Sequence, residues 1–153
     1  MIFRQIILNK YLFDTNIIIN LLRPKEKKEY LALNLWLDEL SQREDVVLVM
    51  PEISYYEALR GVHYTKLIEP AYKGLDGITK LKHLFEYLPM TTEMWEVAAE
   101  LWAQRKFLGK DVGKGIDGDT LLGAQGIVAQ GTVVTYNIRH FNDRVTACLW
   151  NAI

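Results

Sequence analysis

The chain has a single cysteine, Cys148, which excludes an internal disulfide framework and any cysteine-based zinc cluster. A reducing cytoplasm is the natural compartment for such a sequence. Long apolar runs are also missing. The stretch Met1 to Leu8 is interrupted by Arg4 and Gln5 and followed by Lys10, too short and broken for a signal peptide or a membrane span. No export and no membrane association are expected. Nor is there a surplus of positive charge: 18 Lys and Arg stand against 19 Asp and Glu, a net charge of −1. The broad basic footprint of a tight nucleic-acid binder is therefore absent. A site built from clustered carboxylates starts out negative, however, so a near-neutral total does not argue against one. No repeat or low-complexity linker divides the 153 residues, and one domain over residues 1–153 with one core is expected. With 50% hydrophobic and 24% charged residues, the composition is that of an ordinary folded protein and not of a disordered chain.

What is present is an alternation of strand and helix signals. Tyr11-Leu12-Phe13 is an apolar run that stops at Asp14-Thr15-Asn16 before a helix from Ile17 ending at Arg23-Pro24. Leu33, Trp36, Leu37 and Leu40 recur at helical spacing over about residues 29–43, with Asp38, Glu39 and Arg43 on the solvent side. Val46 to Met50 is continuous and mostly β-branched, as suits a parallel strand covered on both faces. Pro51 opens a helix from Glu52 to about Val62, with proline at a first-turn position. Pro70, Gly74 and Gly77 break the pattern after His63, and a further helix is expected at about Ile78 to Phe85. A short strand at Tyr87-Leu88 precedes a helix capped by Thr91-Thr92, with Met94, Val97, Ala98, Leu101 and Trp102 in one stripe. A glycine-rich loop from Gly109 to Gly115 leads to Asp117-Gly118-Asp119 and a helix to Ala129, ended by Gly131. Thr132 to Thr135 is the last strand recognised, and the whole implies an α/β sandwich around a mostly parallel sheet. Cys148, beside Leu149 and Trp150, reads as a small buried hydrophobe.

In an open parallel sheet, sites form at the carboxyl ends of the strands. Four side chains are expected there: Asp14 after the first strand, Glu57 about two turns into the helix after the second, Asp119 in the first turn of the late helix, and Asn137 after the last strand. Carboxylates gathered so closely repel one another, and one takes up a proton unless a counter-charge is supplied. A divalent cation such as Mg²⁺, with hard oxygen ligands, supplies it. The chemistry implied is phosphodiester hydrolysis by water activated at a metal ion. Each acid also has a structural reading: Asp14 as the N-cap of its helix, Asp119 as an acid at the positive end of a helix dipole, and Glu57 as a solvated helix residue.

The segments Leu12-Phe13-Asp14-Thr15-Asn16, Ile53 to Gly61 around Glu57, Asp119-Thr120-Leu121-Leu122 and Val133 to Phe141 together resemble the PIN-domain family, and its VapC-type toxins in particular. Order and spacing match over about residues 10–142, and the opening Asp-Thr-Asn with the closing Thr-x-Asn-x-x-His-Phe carries most of the likeness. The resemblance implies a single PIN-like three-layer α/β/α sandwich and a Mg²⁺- or Mn²⁺-dependent endoribonuclease. It carries over Asp14, Glu57 and Asp119 as metal-binding acids, Asn137 where many relatives have a fourth carboxylate, and Thr15, Asn16 and Thr135 as supporting polar groups. It implies RNA as substrate, a small antitoxin that blocks the acidic groove, and often a homodimer.

Asp117 lies two residues before Asp119 and either can face the site; the resemblance favours Asp119, whose interval to Thr135 is the family's usual one. Lys110 and Lys114 in the glycine-rich loop are candidates to lie beside RNA phosphate, against a solvated-loop reading. Arg60 and Arg139 suit phosphate oxygens through their planar guanidinium groups, against a surface role. His140 invites a general-acid assignment, but the resemblance makes it a strand-end structural residue packed near Phe141. The four Trp and eight Tyr residues suit partner interfaces or the core equally. Rival readings are a PIN-like binding module with little or no catalysis, a receiver-type α/β domain, and a metal-dependent DNA nuclease. The receiver reading lacks its acid after the central strand, which ends Val49-Met50-Pro51. The ligand set does not report a 2′-hydroxyl, so it leaves DNA open.

Overall fold

Alternating covered strands and amphipathic helices lead to one parallel sheet. The computed structural model describes residues 7–112, 117–141 and 144–153. Five strands, β1 (Asn9–Phe13), β2 (Val46–Pro51), β3 (Glu86–Leu88), β4 (Thr132–Thr135) and β5 (Ala147–Leu149), pair in the order β3-β2-β1-β4-β5. Every pairing is parallel. The helices among the described residues are α1 (Thr15–Leu21), α2 (Lys28–Ser41), α3 (Glu52–Ile68), α4 (Gly74–Leu84), α5 (Thr92–Phe107) and α6 (Gly118–Val128). None is long and apolar enough to cross a membrane.

Successive strand residues point to opposite faces, so each strand feeds two cores. Phe13, Leu48, Met50 and Val134 join buried residues of α1, α2 and α4 on one face. Leu12, Val49 and Val133 join α5 and α6 on the other. Helix α3 serves both, with Ala58 in the first cluster and Ile53 in the second. This is the three-layer α/β/α sandwich expected from the sequence, with a sheet parallel throughout its described strands. On the first face Phe13 stacks on Phe85 at 5.0 Å, and Trp36 stands edge-on to Phe13 at 5.9 Å and to Trp150 at 5.5 Å. Two of the tryptophans therefore serve the core, whereas Trp95 remains half exposed.

The structure corrects several element boundaries. Helix α3 continues past Val62 to Ile68: Gly61 alone does not stop it, and the end comes at Glu69, which the following Pro70 holds out of the helical region. Helix α4 begins at Gly74 and not near Ile78. Its glycines answer crowding, since a β-carbon at Gly77 would lie 2.9 Å from Leu22 Cδ2 and one at Gly74 would overlap the Tyr72 ring. Pro51 is the last residue of β2 and the N-cap of α3, with φ −65° and ψ 139°, instead of a first-turn residue. The left-handed residue after α6 is Gln130, at φ 54°, and not Gly131. Strand β5 was not expected; three residues are too few for a periodic signal, and only pairing with β4 defines it. Cys148 lies in it, half-buried and not fully buried.

The chain leaves β1 to build β2 and β3 on one side, then returns to add β4 and β5 on the other. This reversal falls between β1 and β4, whose carboxyl ends are the position at which open α/β sheets bind ligands.

Candidate active site

Asp14 is the first residue beyond β1 and the N-cap of α1. Its Oδ1 accepts the Thr15 N–H at 2.6 Å and its Oδ2 accepts the Thr135 hydroxyl at 2.7 Å. The capping position and the strand-end position therefore coincide in one carboxyl, which is only 8% exposed. Thr135 Oγ1 in turn accepts the Asn137 backbone N–H at 2.9 Å and Asn16 Nδ2 at 3.5 Å. Asn137 is thus tied to the site through its backbone, with its side chain in an exposed position. Asn16 Oδ1 is buried and has no hydrogen-bond partner among the described residues.

Glu57 reaches the same region from α3. Its Oε1 accepts the Thr15 hydroxyl at 3.1 Å, and Arg60 Nη2 lies 3.5 Å from Oε2 while its guanidinium sits 5.4 Å from the Tyr56 ring centre. Helix α6 brings Asp119 from the far side, where its Oδ2 is 3.0 Å from His140 Nδ1. Asp117 is engaged otherwise. Its Oδ1 caps α6 by accepting the Asp119 and Thr120 N–H groups at 3.1 and 3.3 Å, and its Oδ2 pairs with Arg105 Nη1 at 3.3 Å.

Burial is the largest influence on the three acids, and it raises the pKa of Asp14, Glu57 and Asp119 above ordinary carboxyl values. Hydrogen bonds from Thr135 and Thr15 oppose the rise at Asp14, as does the Thr15 hydroxyl at Glu57. The negative charge of Asp119 is felt at both Asp14 and Glu57, and that of Asp14 at Glu57. Like charge thus adds to burial at Asp14 and Glu57, whereas at Asp119 His140 and Arg105 lower the value and the neighbouring Asp117 raises it.

His140 differs from the sequence reading. Phe141 packs against the α5/α6 core as expected, but His140 does not join it. The 3-10 turn Ile138–His140 carries its imidazole back over Asp119. The spacing from Asn137 contained this signal, because one tight turn returns the third residue toward the strand end. Arg105, which holds Asp117, gave no sequence signal at all; only the packing of α5 against α6 brings it there. Arg139 is exposed beyond β4 and Lys110 is exposed after α5, while Lys114 lies outside the described residues.

Among the described residues no three His, Cys, Asp or Glu side chains stand close enough to hold one ion by themselves. The donors nevertheless fit a hard divalent cation in kind. Carboxylate oxygens disfavoured as anions and a buried amide oxygen without a partner are chemically what such an ion takes. Magnesium needs only about one or two carboxylates when water and phosphate complete its shell.

A five-stranded parallel sheet between helical layers, with Asp14 at its topological switch point, defines a three-layer α/β protein. Within that class the assignment is specific: a family model described as PIN domain matches residues 11–144, and the chain belongs to that family. Solved structures share its fold. VapBC2 from Rickettsia felis, bound to a DNA fragment from its promoter, aligns with a TM-score of 0.74 at 20% identity, over 92% of this chain and 98% of that one. VapBC-1 from nontypeable Haemophilus influenzae gives 0.70 at 22% identity, over 93% and 98%. FitAcB from Neisseria gonorrhoeae gives 0.64 at 24% identity, over 94% and 99%. No curated protein matches the sequence.

Proposed function

We propose that this chain is a divalent-metal-dependent endoribonuclease that hydrolyses RNA phosphodiester bonds and serves as the toxin of a type II toxin–antitoxin pair in the cytoplasm. What supports the reading is that Thr15 bridges the Asp14 and Glu57 carboxyls, and that the first turn of α6, which carries Asp119, abuts Glu57, at the switch point of a PIN-domain sheet. Asp14, Glu57 and Asp119 would hold Mg²⁺ or Mn²⁺, with Asn137 and the Asn16 amide beside them. When bound, the cation offsets the carboxylate and phosphate charge and strengthens water as a nucleophile. Thr15 and Thr135 orient Asp14, Thr15 also orients Glu57, and His140 fixes one oxygen of Asp119. Arg60, exposed next to Glu57, would meet a phosphate through its planar guanidinium. Similarity in fold to VapBC complexes supports a small antitoxin as partner, and homodimerisation belongs to the same reading.

The test is cleavage of single-stranded RNA by the purified protein in Mg²⁺ or Mn²⁺, with chelator and Asp14→Asn as controls. Loss of cleavage in both controls supports the assignment; cleavage that survives both would remove it. A matched DNA strand separates the ribonuclease from a DNA nuclease, because only RNA offers the 2′-hydroxyl. A second reading, a PIN-like RNA- or protein-binding module with little catalysis, draws on the absence of three closely grouped metal donors among the described residues. RNA that is bound and never cut would favour it.

A further inference from the structure

Glycine is an unfavourable choice inside a helix, because it gives up more conformational freedom on folding than any other residue. At Gly118, in the first turn of α6, the backbone does not call for it: among the described glycines only Gly109 has positive φ, at 70°. Space does. A β-carbon on Gly118 would lie 2.6 Å from Glu57 Oε1 and 3.1 Å from both Cδ and Oε2. Any side chain here competes with that carboxylate for one volume.

The two sides of this contact are not equally able to yield. The start of α6 is anchored, with Asp117 holding the Asp119 and Thr120 N–H groups through one oxygen and Arg105 through the other. The Glu57 carboxylate is the end of a flexible side chain, kept in place by the Thr15 hydroxyl at 3.1 Å and by the exposed Arg60 guanidinium at 3.5 Å. A methyl group on Gly118 therefore moves the carboxylate and leaves the helix where it is.

The geometry points to Gly118 as a positioning residue for the cation site, one that sets the place of the Glu57 carboxylate by having no side chain. The inference rests on the nuclease reading for the cation. Mn²⁺ affinity, measured by calorimetry, is to be compared among wild type, Gly118→Ala, Glu57→Asp, the double variant and Gly61→Ala, with thermal unfolding in chelator as a readout of the fold. Gly118→Ala is expected to melt no lower than wild type, since alanine favours helix. Its Mn²⁺ affinity is expected to fall about tenfold or more, as when a group supporting a metal ligand is lost. Glu57→Asp draws the carboxylate back by one methylene, so the double variant should bind no more weakly than Glu57→Asp alone. Gly61, with nothing within 4 Å of its missing side chain, should tolerate alanine with affinity unchanged. Unaltered affinity in Gly118→Ala, additive losses in the double variant, an equal loss in Gly61→Ala, or collapse of the Gly118→Ala fold would each overturn the assignment. Wild-type protein that binds no Mn²⁺ would overturn the nuclease reading with it, whereas tight wild-type binding beside an indifferent Gly118→Ala sinks this inference alone.

Discussion

The Thr135 hydroxyl donates to Asp14 Oδ2 at 2.7 Å, joining residues 121 positions apart across the point where the strand order reverses. The bond is buried and Thr135 is fully enclosed, so water cannot replace it. It stitches β1 to β4 and fixes the orientation of the acid that also caps α1. One hydroxyl thereby links the sheet, the cap and the candidate site.

Thr135→Val keeps the shape and removes that hydroxyl. Asp14 then loses a donor, and the Asn137 N–H loses its acceptor. Leaving buried polar groups unpaired costs about 1–3 kcal/mol, so urea unfolding should shift by that amount while RNA cleavage also falls. Unchanged stability would mean that solvent reaches Asp14 after all.

Gathered anions that destabilise the cation-free protein should be relieved by a divalent ion. At a free concentration about one hundred times Kd, a bound ion adds about 2.7 kcal/mol to stability. Thermal unfolding with and without Mg²⁺ or Mn²⁺ reads this directly. Asp14→Asn should erase the cation-dependent rise and abolish cleavage with the fold intact. An equal rise in wild type and variant would place the ion elsewhere.

His140 holds Asp119 from an exposed position, with half of its side chain in solvent. Pairs of this kind add little to stability, about 0–1 kcal/mol. His140→Ala should therefore leave the melting temperature nearly unchanged and lower cleavage by about ten- to one hundred-fold, the range seen when a group behind a metal ligand is lost. A large loss of stability with little change in rate would return His140 to the structural role that the sequence suggested.

Much of this architecture could be read from the residues because its local signals agree with its long-range ones. The apolar runs at Leu12-Phe13, Val46 to Met50 and Val133-Val134 are what a sheet covered on both faces requires, and each is a strand. Asp14 is visible for the same reason, since it obeys capping rules whatever else it does; Asp117 caps α6 by the same rules, but the sequence offers it only as an alternative to Asp119. What escaped depends on contacts between distant segments. The glycines of α4 look like breaks until Leu22 and Tyr72 are seen against them, and β5 exists only through β4. The grip of Arg105 on Asp117 arises from packing, which no periodicity records, whereas the turn of His140 toward Asp119 lies in its spacing from Asn137, a signal that the structural reading of His140 passes over.

Tyr87 offers a pH test away from the acids. Burial, with a hydrogen bond to Glu52 at 3.0 Å and the Glu52 charge, pushes its phenol from the ordinary 10.0 up to about 12. Between those values the unfolded chain gives up this proton and the folded one keeps it. The Tyr87 contribution to stability is thus whole below pH 10 and is lost as pH rises from 10 toward about 12. An ultraviolet phenolate titration should show one tyrosine ionising late, absent in Tyr87→Phe and earlier in Glu52→Gln. Burial is the larger cause, so Glu52→Gln should recover only part of the shift; full recovery would reverse that order.

Asp117 and Asp119 stand two residues apart and are separated by what they touch. Asp117 uses one oxygen to cap α6 and the other to hold Arg105, both side chains being largely buried. Asparagine can still cap a helix but cannot neutralise a guanidinium, so Asp117→Asn should cost about 1–3 kcal/mol and reduce cleavage only through loss of folded protein. Asp119 points its carboxylate at His140 from the first turn of α6. Asp119→Asn retains an oxygen to accept that contact and removes the charge a cation needs, so stability should hold while cleavage disappears. Unfolding midpoints and initial cleavage rates on the two variants decide the matter. Cleavage lost in a stable Asp117→Asn and kept in Asp119→Asn would exchange their roles.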